Sequence, residues 1–122
     1  MLSVIFDSSF LMAVSEHPTD WQDDLGEAMG GFSPVILDAV EEELQRISRT
    51  KGGKAKRAAV ALQIAKGFAR RPNGRGAVDD ELVSAALTLG APVATVDGGL
   101  LKALRASGAS VVTLRRGRVW TG

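Results

Sequence analysis

Leu2-Ser3-Val4-Ile5-Phe6-Asp7 is the stretch that decides the fold. It is short, nearly continuously apolar, and it stops on a carboxylate. An amphipathic helix needs roughly ten residues and a polar face, whereas a strand buried on both faces needs neither. Pro34–Leu37 repeats the pattern, Pro92–Val96 repeats it again and ends at Asp97, and Ser110–Leu114 supplies a last strand. The segments between them have helical spacing. Phe10–Val14 begins one helix. Asp20–Met29 places Trp21, Leu25 and Met29 on one face before Gly30-Gly31. Asp38 opens the next, with Glu41 three residues on as a capping box and Val40, Leu44 and Ile47 as its apolar stripe. After Lys51-Gly52-Gly53 an Ala-rich helix is expected over Ala55–Phe68, then a polar loop over Arg70–Gly76. Helices over Asp79–Leu89 and Leu100–Ala106 follow, with an edge hairpin over Arg115–Trp120. Alternation of this kind predicts an α/β protein: a three-layer α/β/α sandwich around a central parallel sheet of four to five strands.

The 122 residues suit a single domain, 1–122, and 45% hydrophobic with 24% charged residues excludes a disordered chain. The formal net charge of +1 does not by itself announce a nucleic-acid partner. Its distribution says more, because bases cluster in Arg46–Arg57, Arg70–Arg75 and Arg115–Arg118. There is no cysteine, which excludes disulfides and thiolate metal sites and fits a cytoplasmic protein. The N-terminal apolar run is too short for a signal peptide or membrane span, so no membrane partner is expected.

Open parallel sheets bind ligands beyond the carboxyl ends of their strands. Acids recur there: Asp7 after the first strand, Glu41, Glu42 and Glu43 on the helix after the second, Asp79 and Asp80 at a helix start, and Asp97 after the strand Pro92–Val96. Glu41 is assigned to the capping box. Glu42 lies nearly opposite the apolar stripe. Glu43 lies about 60° from the centre of that stripe, at ~100° per residue, and borders the buried face. Asp79 and Asp80 flank the face formed by Val83, Ala86 and Leu87, and one of them is expected to cap the helix. Clustered carboxylates repel one another, and a divalent cation relieves that cost. Oxygen-only ligands favour Mg²⁺ or Mn²⁺, as one or two ions, over zinc, and such a site suits phosphodiester hydrolysis. Each acid on its own has a plainer reading as a helix cap or a solvated charge.

Val4-Ile5-Phe6-Asp7-Ser8-Ser9-Phe10-Leu11 resembles the opening of PIN-domain nucleases, and Val40-Glu41-Glu42-Glu43-Leu44 resembles their helix with Glu before Leu. Asp80-Glu81-Leu82-Val83-Ser84-Ala85-Ala86 and Ala94-Thr95-Val96-Asp97 are similar to the two later motifs, in the right order from Val4 to about Leu114. The resemblance implies metal-binding, catalytic carboxylates at Asp7, Glu43, Asp80 and Asp97. Ser9 and Thr95 would orient them, with Asp79 as a supporting acid. Ser8 and Ser9 stand where Thr and Asn are usual. The implied activity is metal-dependent endoribonuclease, cutting single-stranded or looped RNA to 5′-phosphate and 3′-hydroxyl ends. The implied setting is either a toxin–antitoxin pair (VapC type) or ribosomal-RNA processing akin to the small-subunit nuclease. The partners would then be RNA, a second copy in a homodimer, and an antitoxin or a ribosomal precursor.

Arg70, Arg71 and Arg75 precede Asp80 and are candidates for RNA backbone contact. His17 reads as a surface residue, and Trp21 as core or dimer interface. With no Tyr and 5% aromatics, recognition by stacked bases is not expected. Two alternatives stand beside the nuclease. A non-catalytic PIN-like binding module would be expected to lose some of the acids. A phosphoaspartyl phosphatase would need Asp at the position of Ser9, and a receiver would need a late strand-end Lys.

Overall fold

The computed structural model describes all 122 residues. Val4, Ile5 and Phe6 have no solvent exposure, as a strand covered on both faces requires. They lie in β1 (Ser3–Phe6), between β2 (Ser33–Leu37) and β4 (Val93–Ala94), parallel to both. Adding β3 (Ala69–Arg71), β5 (Val111–Arg115) and β6 (Arg118–Thr121) gives the order β3-β2-β1-β4-β5-β6. Five strands are parallel, and β6 returns antiparallel through the expected hairpin. The chain steps outward from β1 to β3, comes back beside β1, and steps out the other way. Right-handed crossovers therefore put α1 (Ser8–Glu16), α2 (Trp21–Met29), α3 (Asp38–Ser48) and α4 (Gly53–Ala65) on one face. They put α5 (Val78–Leu89) and α6 (Gly98–Ala106) on the other. No helix is long and apolar enough to cross a membrane.

Under the first face Phe6 is ringed by Phe10, Trp21, Phe32 and Phe68, with centroids 5.0–6.2 Å away. Trp21, 5% exposed, belongs to this core. His17 is exposed at the end of α1, as expected.

Three local expectations fail. The loop expected over Arg70–Gly76 begins late, because Ala69–Arg71 pairs with Val35–Leu37 as an edge strand. Its exposed residues and arginines leave no apolar signature, as suits an edge that must not recruit another strand. The capping box does not form. Asp38 is already the first helical residue of α3, and no side chain of the helix caps its start. Glu41 pairs with Arg70 at 2.9 Å instead, and Asn73 Oδ1 accepts from Ala39 N at 2.8 Å. Nor does Asp79 or Asp80 cap α5, which begins at Val78 behind Ala77.

Candidate active site

The strand order reverses between β1 and β4, and in open α/β sheets the crevice at such a reversal is where ligands bind. Asp7 leaves β1 there. It sits before α1 with extended backbone, and its side chain makes no cap to that helix. Both hydroxyl bonds it receives fall on Oδ2: Ser9 donates at 2.6 Å and Thr95 at 2.8 Å. A hydroxyl has one proton, so both protons are committed to Asp7. The 3.0 Å approach of the two hydroxyl oxygens then has none left to share. Each hydroxyl also accepts, Ser9 from Val96 N and Thr95 from Asp97 N, both at 3.1 Å. Thr95 is fully buried and Asp7 is 6% exposed. Burial pushes the Asp7 carboxyl above the usual range, the two hydroxyls oppose that rise, and the nearby Glu43 charge adds to it.

Asp97 is the next fixed point. It precedes α6, and its Oδ1 accepts from Leu100 N at 3.0 Å, so this acid is also a helix cap. It is exposed. Glu43 lies half-buried on α3, and Ser8 donates to its Oε1 at 2.5 Å. Glu42 is exposed, as the helical phase requires.

On α5 the two aspartates differ in phase. Asp79 precedes the buried Leu82 by three residues and the buried Ala86 by seven, which puts it on the inward face. Asp80 is one step round, in line with the exposed Ser84 and Leu87. Asp79 stays solvent-accessible, yet its carboxyl is pushed up, first by desolvation and then by the charges of Asp7, Asp97, Glu43 and Asp80. Asp79 therefore looks into the acidic cluster, whereas the resemblance had favoured Asp80. No three of these carboxylates close on one point tightly enough to hold an ion between them.

None of the five surface concavities includes Asp7, Glu43, Asp79, Asp80 or Asp97. Asp79, Asp80 and Asp97 are exposed, Glu43 is half-buried and Asp7 is buried, so the acids form a ledge at the carboxyl rim of the sheet. The three arginines expected to contact RNA are spread out. Arg70 lies on β3 and pairs with Glu41, Arg71 is half-buried beside Pro72 and Asn73, and Arg75 projects alone from the loop before α5.

Sequence reasoning missed two supports. Ser8 holds Glu43, and its only signal was its place directly after Asp7. The strap Pro72–Gly76 joins two acid-bearing helices: Asn73 caps α3, and Gly74 N donates to Glu81 on α5. Nothing in the sequence paired Asn73 with residue 39.

A sequence profile of the PIN-like domain family matches residues 4–118. The solved structure of the PIN domain endonuclease Utp24 superposes with a TM-score of 0.81 at 25% identity, over 98% of this chain and 90% of that one. A domain of a functionally unknown protein from Methanocaldococcus jannaschii gives 0.69 at 15% identity, over 94% and 92%. PAE2754 from Pyrobaculum aerophilum gives 0.55 at 17%, over 83% and 78%, and these last two likenesses speak for the fold alone. No curated protein matches the chain in sequence.

Proposed function

The chain belongs to the PIN-like domain family, and from that premise we propose that it is a divalent-cation-dependent endoribonuclease working at the ledge of Asp7, Glu43, Asp79 and Asp97. The observation that carries the reading is Asp7, 6% exposed at the reversal of strand order and held on Oδ2 by Ser9 and Thr95. Desolvation raises the Asp79 carboxyl, and the charges of Asp7, Asp97, Glu43 and Asp80 add to that rise. Unneutralised, that arrangement is costly, and a hard cation with oxygen ligands is the group that relieves it. The donor set is all carboxylate and hydroxyl, which fits Mg²⁺ or Mn²⁺ and not zinc. When bound, such an ion supplies Lewis acidity at the scissile phosphate and makes water a nucleophile at neutral pH.

The chain's own residues do the positioning. Ser9 and Thr95 fix Asp7 Oδ2, so the carboxylate cannot swing, and its other oxygen receives neither hydroxyl. Leu100 N fixes Asp97 through Oδ1, and Ser8 fixes Glu43. Asp79 supplies the inward carboxylate of α5, with Asp80 adding charge from outside. Likeness to the endonuclease Utp24 supports internal cleavage. RNA as substrate follows from the family resemblance.

The test is cleavage of a labelled single-stranded RNA in Mg²⁺ or Mn²⁺, with the product ends mapped. The wild type cuts internally and leaves 5′-phosphates. Asp7→Asn and Asp79→Asn each lose more than ~100-fold, whereas Asp80→Asn loses only ~10- to 100-fold, as outlying partners of a metal site do. A wild type inert with both metals, or an Asp7→Asn variant that cuts normally, sinks the reading.

A further inference from the structure

Arg115 and Trp120 form a feature that the acid ledge does not use. Trp120 is 51% exposed, the one exposed aromatic of the chain, and the Arg115 guanidinium lies 4.8 Å from its ring centroid. Such a cation–π contact holds the indole in place. The turn between them is Arg116-Gly117, with φ of 52° and 75°, the positive-φ pair of a type I′ hairpin. Arg116 is the only non-glycine residue with positive φ, at a position that favours Gly, Asn or Asp. Its guanidinium makes no ion pair and no hydrogen bond, and neither does that of Arg115. Arg118 behaves differently. It bonds Asp24 of α2 at 3.0 Å and so pins the hairpin to the body.

The hairpin also lies at the right edge. Phe6 is level with Ala94 and Ala94 with Val112, so Asp7, Thr95 and Thr113 share the next level. Arg115 is two residues beyond that level, at the carboxyl end of β5. β5 stands two strands from β1, roughly 10 Å across the sheet. The acids and the hairpin tip therefore share one rim.

We propose that the Arg115–Trp120 hairpin is a second nucleic-acid contact, where a base of the single strand running off the acid ledge stacks on Trp120 and its phosphates meet Arg115 and Arg116. The identity of the strand as RNA rests on the nuclease reading; the stacking platform does not. A half-open indole beside two unpaired guanidiniums matches a base flanked by phosphates. A duplex hides its base faces and leaves the ring unused. An acidic protein segment answers the arginines but not the indole. The sequence argued against base stacking on aromatic content alone, and a single exposed ring in a charged setting changes that.

The experiment is fluorescence anisotropy of a labelled oligouridylate with the intact chain in EDTA, so that no cleavage enters. Trp120→Ala weakens binding ~5- to 100-fold, the range for losing one stacked base, and Trp120→Phe keeps most of the affinity. Arg116→Asn, a residue that tolerates the same backbone, lowers the slope of log K against log salt by about 0.7. Thermal melting confirms that each variant is folded. A wild type that binds no single strand overturns the proposal. So does single-strand binding that the Ala and Asn variants leave unchanged, or a preference for polyglutamate over RNA. The two readings fail separately. Trp120-dependent binding without cleavage sinks only the nuclease, and cleavage with Trp120-independent binding sinks only the platform.

Discussion

Thr95→Val tests how much of the site's order depends on one hydroxyl. The two side chains are nearly the same shape, and Thr95 has no solvent exposure, so the change opens no cavity and lets in no water. It removes the 2.8 Å bond to Asp7 Oδ2, a hydrogen bond to a charged acceptor worth about 1.5–3 kcal/mol net. It also strands Asp97 N, whose partner at 3.1 Å was the same hydroxyl, for about another 1 kcal/mol. The expected loss is about 3 kcal/mol. For a domain of this size that is a drop in melting temperature of roughly 10–15 °C. Thr95→Ser keeps both bonds and loses one buried methyl, about 1 kcal/mol, so it melts only a few degrees low. Denaturant melts of both variants at neutral pH in EDTA make the comparison. The Val deficit should shrink on acidification, because a protonated Asp7 accepts a weaker bond. If Val is no less stable than Ser, the hydroxyl bridge does not hold Asp7 and the account of the site is wrong.

Burial raises the Asp7 carboxyl, and burial with neighbouring charges raises Asp79. The folded chain therefore binds more protons than the unfolded one between the usual and the raised pKa values, and stability falls as pH rises through that window. In EDTA, Asp7→Asn should flatten this slope and raise the neutral-pH melting temperature, and should remove any stabilisation by Mg²⁺ or Mn²⁺; a variant that melts lower than wild type at neutral pH contradicts the assignment. Asn73→Ala removes the acceptor for Ala39 N at the start of α3 and should cost about 1 kcal/mol in urea unfolding, with Asn73→Asp restoring it. Equal stability of Asn73→Ala and wild type would mean that the strap does not hold α3.

Much of the architecture was legible because it rests on contrast between neighbours. Val4–Phe6 and Val35–Leu37 are apolar on both faces, and only an inner parallel strand needs that. Glu43 was legible for a similar reason, since helical phase is fixed by Val40 and Leu44. The failures lie where long-range partners override local preference. Asp38 and Glu41 satisfy a local capping rule, but Asn73 and Arg70 arrive from 34 and 29 residues away and take both roles. The face of Val83, Ala86 and Leu87 left Asp79 and Asp80 undecided, and the preference for Asp80 came from the family resemblance. In the structure Ala86 is buried as expected, but Leu82 rather than the 54% exposed Leu87 completes that face. β3 was invisible because an edge strand carrying two arginines has no periodicity to read.

The bridge from Ser9 and Thr95 to Asp7 has a consequence in time. Asp7 is made well before its partner Thr95, which lies 88 positions later. A chain emerging from the ribosome holds Asp7 with no strand β4 to receive it, no Thr95 hydroxyl, and no Asp97. Long-range parallel pairings of this kind form late, after the entropy of closing a large loop has been met. The acids therefore stay dispersed until nearly the whole domain has been translated. On the nuclease reading, the site is assembled only once β4 has joined β1.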